Sequence, residues 1–226
     1  MNTDTRPLDV YGYWRSNAMY RVRVALNLKG IAYNEIPVNL DAGEQHAPDF
    51  VARNPQAAVP ALVEGDLPAL TQSLAILEYL EERYPEPPIL PADPRGRARV
   101  RALAYNVACD THPLIVPRVR TYLTDEAGFD QAAFRRWLAH WVGRGLIGLE
   151  ANLSGSRETG RFCHGDRVTM ADICVAGLAM IPRVFKLDTP DTPDTPTVTR
   201  IVETCLAEPA FARADPMQQP DAPKAA

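Results

Sequence analysis

Apolar and polar positions change period several times along this chain. DVYGYW (9–14) carries the apolar content of a strand and runs into a polar turn, Arg15-Ser16-Asn17. From about Ala18 to Leu28 the period turns helical. Val22, Ala25, Leu26 and Lys29 share one side, Lys29 forms its wet end, and Gly30 is a natural stop. Ile36, Val38 and Leu40 then alternate as in a half-buried strand, and Pro48 and Pro55 break the next stretch. PALV (60–63) and LPAL (67–70) flank Glu64-Gly65-Asp66, a hairpin signal. QSLAILEYLEERY is helical again, with Leu74, Leu77, Leu80 and Tyr84 spaced for one buried face. A small mixed sheet covered by helices satisfies this order.

The segment PEPPILPADPRG (85–96) holds five prolines in twelve residues, so it reads as a stiff linker and a domain boundary. Everything beyond it has helical period. One long pattern spans 97–123, with interruptions expected at Pro113 and Pro117. A second runs over 130–153 around Phe134, Trp137, Leu138, Trp141 and Leu149, and a third starts at Thr169 and heads toward Phe185. That third helix has a complete start signal, Thr169 as N-cap and Asp172 at N3, which reads as a folding device. The repeated Asp-Thr-Pro of 188–196 predicts a loop, 197–207 a short helix, and the Pro/Ala-rich end a disordered tail. The predicted organisation is an α/β domain over 1–86 and an all-helical domain over 97–226.

Composition narrows the functions available. A net charge of −4 argues against a nucleic-acid surface, and no apolar run reaches the ~20 residues of a membrane helix. With no visible secretory signal, the expected address is cytoplasmic. Basic charge comprises 21 Arg against 3 Lys, so a single arginine carries little weight. Cys109, Cys163, Cys174 and Cys205 form no C-x-x-C pair. Cys109 and Cys174 lie in apolar helical stretches and read as buried thiols, Cys163 beside His164 as plain surface. Neither a metal site nor a disulfide is expected.

Several strings together resemble the cytosolic glutathione S-transferase superfamily. YWRSNAMYRVRVALNLKG looks like the zeta-class signature around its serine, NPQAAVPALV the loop with the family's cis-proline (here Pro60), and TQSLAILEYLEERYP the Gln-Ser helix start. CDTHPL resembles the opening of the second domain, and GDRVTMADI the superfamily's capping motif. The relatives that the resemblance implies are maleylacetoacetate and maleylpyruvate isomerases.

The resemblance implies a thioredoxin-like N-terminal domain, an all-α C-terminal bundle, glutathione as cofactor, a small-molecule substrate and a homodimer. It makes Ser16 and Asn17 the residues that hold the glutathione sulfur, a role suited to a helix N-terminus. Gln72 and Ser73 would bind the γ-glutamyl carboxylate, Val59 would pair with the tripeptide backbone through a cis Val59-Pro60 bond, and Gln45 and His112 would meet the glycine end. Arg15, and Arg183 from the other domain, would hold substrate carboxylates. The implied reaction is cis–trans isomerisation of a maleyl-type diketo acid.

The pattern also departs from the isomerases. Ala18 stands where relatives often carry a cysteine, which excludes mixed-disulfide chemistry there. Ile115 and Val116 stand where they usually have Asn. Arg183 lies one residue, about 100° of helix, before the usual arginine position. Two alternatives therefore stay open: a conjugating or lyase enzyme for aromatic or halogenated compounds, and a binding module that has lost its chemistry.

Overall fold

The computed structural model describes residues 7–187 and 194–223. Its contacts divide the chain into two units, one made of residues up to Pro87 together with those from Pro209 onward, the other of Pro88–Glu208.

In the first unit, β1 (Leu8–Gly12) buries alternate residues, as a strand with one covered face must. It leads into α1 (Asn17–Lys29), which returns the chain to β2 (Asn34–Pro37), parallel to β1. Met19–Leu26 of α1 are all buried. Gly30 ends the helix with φ 65°, the left-handed conformation expected of that glycine. Gly12 is needed for closeness, because a Cβ there would lie 2.6 Å from Met19. A short α2 (Pro48–Val51) precedes the hairpin of β3 (Ala61–Glu64) and β4 (Leu70–Thr71). The sheet order is β2-β1-β3-β4, with β1 and β3 antiparallel. α3 (Ser73–Arg83) packs on α1 and buries Ile76, Leu77 and Leu80, while Leu74 is only half-buried.

Lys29 departs from its predicted wet position. Its side chain is fully covered, and its ammonium donates to Glu81 (3.0 Å), the Tyr84 carbonyl (2.7 Å) and the Pro87 carbonyl (2.9 Å). The reason is the end of α3, where the Glu81 carboxylate and the Tyr84 carbonyl, with the Pro87 carbonyl just beyond the helix, converge on the cation.

Among the described residues of the second unit the main elements are helices: α4 (Pro94–Tyr105), α5 (Pro117–Thr121), α6 (Gln131–Ser154), α7 (Met170–Ala179), α8 (Ile181–Val184) and α9 (Pro196–Leu206). Asp93 caps α4 and Asp130 caps α6 through the amides of Gly96 and Ala133, each at 2.7 Å. The long 97–123 pattern breaks up, with wide π-type turns at Asn106–Thr111 and Tyr122–Glu126 around the two prolines. α7 lies at the centre of this unit, buried from Met170 to Leu178. The third pattern does not stay helical to Phe185 in one piece: Pro182 lacks an N–H to continue α7, and α8 starts afresh.

Other expectations need correcting. Ile89 and Leu90 are buried within the proline-rich segment, and the Ile89 carbonyl accepts from the Met170 amide at 2.8 Å, so this stretch is anchored. Cys109 is exposed and Cys163 fully buried, the reverse of their sequence reading. Burial pushes the Cys163 thiol up, reinforced by the neighbouring Asp172 carboxylate. The predicted second domain ran to residue 226, but α10 (Pro209–Arg213) packs on α1, with Asn27 donating to the Ala210 carbonyl at 3.0 Å. The predicted disordered tail is likewise ordered through Pro216, which is buried, and Asp221, whose carboxylate accepts from the Trp14 amide at 2.9 Å. Most of the Asp-Thr-Pro loop, 188–193, and the last three residues lie outside the described residues.

Candidate active site

After Gly12 the chain makes a tight turn in which the Ser16 amide donates to the Tyr13 carbonyl at 3.0 Å. Ser16 is extended (φ −68°, ψ 117°) and is the N-cap of α1; its hydroxyl oxygen accepts from the Met19 amide at 3.2 Å. A hydroxyl that accepts in this way still has its one hydrogen to donate. Ser16 is half-buried, at the positive end of a thirteen-residue helix. The turn is held from several sides. Arg23, fully buried, donates to the carbonyls of Trp14 (3.0 Å) and Tyr13 (3.2 Å) while its Nε bonds Glu35 at 2.9 Å. Asp221 takes the Trp14 amide. Asp41 accepts from the Tyr13 hydroxyl at 2.6 Å and from Arg15 at 2.5 Å. The Tyr13 pKa is raised, by burial first and then by that bond. Arg15 also lies over the rings of Tyr13 and Trp14, 5.7 Å from each centroid.

The first residue of α1, Asn17, meets the start of α3 through a residue the sequence reading passed over. Arg21 is 1% exposed; it donates to Asn17 Oδ1 at 2.9 Å and to Ser73 Oγ at 3.0 Å. One guanidinium thus joins the N-termini of two helices. Ser73 is buried, and Gln72 before it is exposed with φ 69°, a conformation costing a non-glycine residue about 1–3 kcal/mol. Its amide donates to Gln56 Oε1 at 2.9 Å.

The Val59-Pro60 bond is cis, as the resemblance requires. Buried Asn54 fixes the loop before it, donating to the Ala58 carbonyl at 2.5 Å and accepting from the Gln56 amide at 3.1 Å. Val59 packs against the cluster of Val38, Phe50 and Ala61. Gln45 is buried in a 3-10 turn (Glu44–His46), and its Oε1 has no hydrogen-bond partner among the described residues. A buried amide oxygen left so costs about 1–3 kcal/mol, which an N–H donor from a ligand relieves. Hydroxyls at two helix starts suit a thiolate and a carboxylate, and the Gln45 oxygen suits a peptide-like N–H. The residues present therefore fit glutathione.

His112 and Arg183 belong to the second unit. His112 opens a 3-10 turn (His112–Leu114) that Trp137 pins to α6 by donating to the Leu114 carbonyl at 2.7 Å. Arg183 is exposed on α8, the same short helix that carries Val184, so the two neighbouring positions keep their offset of about 100°. Ile115 is buried and Val116 half-buried. Arg21, Arg23, Asp41, Asn54 and Asp221 were all missed. Only Arg21 had a sequence signal, its i+4 spacing from Asn17.

The glutathione S-transferase N-terminal domain family matches residues 6–82, and the glutathione S-transferase C-terminal domain family residues 145–209. Maleylacetoacetate isomerase of Pseudomonas aeruginosa is 42% identical over 222 residues, covering 96% of this chain and 100% of that protein. Maleylpyruvate isomerase of a Ralstonia species is also 42% identical, covering 95% of this chain and 99% of its own. The crystal structure of maleylacetoacetate isomerase from Methylobacterium extorquens AM1 with bound malonate and glutathione has a TM-score of 0.91 and 55% identity, over 95% of this chain and 99% of that one.

Proposed function

Because the chain belongs to the zeta-class maleylacetoacetate/maleylpyruvate isomerase family of the glutathione S-transferase superfamily, we propose that it is a glutathione-dependent isomerase converting a maleyl-type diketo acid to its fumaryl isomer. The observation that carries this is a serine hydroxyl with a hydrogen to give, at the start of α1, on a chain 55% identical to an isomerase crystallised with glutathione.

Bound glutathione supplies a thiolate able to add to the cis double bond and to leave again after rotation. The chain's own residues do the rest. Ser16 donates to the sulfur from the helix N-terminus, favouring the anion over a thiol that ordinarily ionises near pH ~8.5. Asn17 presents its amide N–H to the same atom. Ser73 and the α3 backbone hold the γ-glutamyl carboxylate beside strained Gln72, Val59 offers backbone pairing, and Gln45 and His112 take the glycine end. Arg15 and Arg183 hold the substrate's carboxylates and the negative charge that develops on its oxygens.

This reading takes the protein as a cytoplasmic homodimer, the arrangement of the family in which subunits pair across a two-fold axis. No helix among the described residues is long and apolar enough to cross a membrane. The deciding assay follows the loss of maleylpyruvate or maleylacetoacetate by purified protein. Loss that needs added glutathione is expected, and its absence with both acids sinks the assignment. Sedimentation at micromolar concentration tests the dimer.

A further inference from the structure

We propose that Arg21 is a positioning residue that sets the donor direction of both ends of the glutathione site at once, so that sulfur binding and γ-glutamyl binding are coupled through one buried side chain. The inference rests on the functional reading above. Its basis is what a guanidinium is able to do. Arginine has five N–H donors and no acceptor. The Asn17 amide must therefore turn its oxygen toward Arg21, 2.9 Å away. Its NH2 group then lies on the other side of the amide, as a donor. The Ser73 hydroxyl must likewise accept from Arg21 at 3.0 Å, which directs its single hydrogen elsewhere.

Both groups are thereby fixed as donors, one on the first residue of α1 and one on the first residue of α3. These are the two groups assigned to a thiolate and a carboxylate, neither of which has a proton to offer. With the Asn17 amide reversed, its oxygen would face the sulfur anion and repel it. Hydrogen bonds to a charged donor are also stronger than neutral ones, so each group is held firmly in its donating sense. Lysine keeps the charge but lacks the planar fork that reaches two acceptors in fixed directions.

The position suits this role. Arg21 sits one helical turn beyond Asn17 and is 1% exposed, so its guanidinium is held by protein groups and cannot swing into water. Arg23 on the same helix is equally buried but faces the turn carbonyls and Glu35, holding the backbone rather than the donors. Two buried arginines two residues apart thus divide the work, one shaping the loop and the other aiming the side chains.

The test uses Arg21→Lys and Arg21→Gln in the full-length protein. Calorimetry gives the Kd for glutathione, and ultraviolet absorbance of the bound thiolate against pH gives its ionisation midpoint. The expected result is a Kd about tenfold weaker and a midpoint about one pH unit higher, in variants that still melt cooperatively. In an Asn17→Ala background, Arg21→Lys should move the midpoint no further; in a Ser73→Ala background it should weaken binding less than in the wild type. Cooperatively melting variants with wild-type Kd and midpoint, or effects that simply add, overturn the proposal. If neither Arg21 variant folds, the Asn17→Ala and Ser73→Ala pair decides: non-additive effects on Kd support the coupling and strict additivity overturns it. Wild-type protein that fails to bind glutathione overturns the functional reading itself, an outcome distinct from binding that is indifferent to Arg21.

Discussion

The starts of α1 and α7 use the same local device and come to opposite ends. Each helix begins on a hydroxyl residue in extended conformation, Ser16 and Thr169. At α7 the fully buried Asp172 carboxylate absorbs the neighbouring donors: the Thr169 amide and hydroxyl, each at 2.8 Å, and the Cys163 amide at 2.7 Å. That start is sealed. At α1 the half-buried Ser16 accepts one amide and keeps its own hydrogen to give, while Arg23 and Asp221 take care of the turn's backbone from below. A capped helix becomes a site when the cap has a donor left over and a way for a ligand to reach it. Residue type alone does not distinguish the two cases.

The largest test of this contrast is Asp172→Ala. It strands buried donors and should cost about 4 kcal/mol in urea unfolding, with kcat of the folded fraction close to wild type. Ser16→Ala should do the reverse, lowering kcat/KM about 100-fold while destabilising by about 1 kcal/mol. Equal losses of stability in both variants would erase the distinction. Arg15→Ala separates the turn's outward side chain from its cap. The KM for the maleyl acid should rise about tenfold with glutathione affinity unchanged, by steady-state kinetics and calorimetry.

The smallest effect comes from a third helix start. Glu150 accepts from the amides of Thr197 (3.2 Å) and Val198 (2.9 Å) at the beginning of α9. Burial alone would raise its pKa, but these bonds and one with the Thr197 hydroxyl leave it lowered. The stabilisation is then present above the ordinary carboxylate range and is lost as pH falls through it. Glu150→Gln should cost less than about 1 kcal/mol at pH 7, since the group is partly solvated, and the gap should narrow only as pH falls below the ordinary carboxylate value of about 4.3. Asp172 has the opposite sign. Burial holds its pKa up against its hydrogen bonds, so its titration favours the fold below the unfolded value and disfavours it as pH rises through the folded one. The deficit of Asp172→Ala should therefore widen as pH falls. Urea midpoints from about pH 7 down to about pH 3 read both trends.

Much of the frame was legible in the chain. The Gly30 stop, the 60–70 hairpin, the Thr169–Asp172 cap and the proline-rich boundary are local features whose cause lies within a few residues. So are the positions of Ser16 and Ser73 at helix starts. What escaped depends on partners far along the sequence. The i+4 relation of Arg21 to Asn17 was visible, but Ser73 lies 52 residues on, and 21 arginines gave no reason to single out that one. Asp41 is an exposed loop acid until Tyr13 and Arg15 are seen to converge on it. Lys29 looked wet because its covering carbonyls belong to residues 84 and 87. Apolar surroundings likewise said little about Cys109, since helical period assigns a side and not the depth of cover.

The tail contact on Trp14 sets an order of events during translation. The strand and helix that carry Ser16 leave the ribosome early, whereas Asp221 is made only after the whole helical unit has been synthesised. Domains generally fold as they emerge, so the later-made unit is complete in sequence before the earlier one has its last clasp. A nascent chain halted between Glu208 and Asp221 would carry the serine with its turn still unlatched.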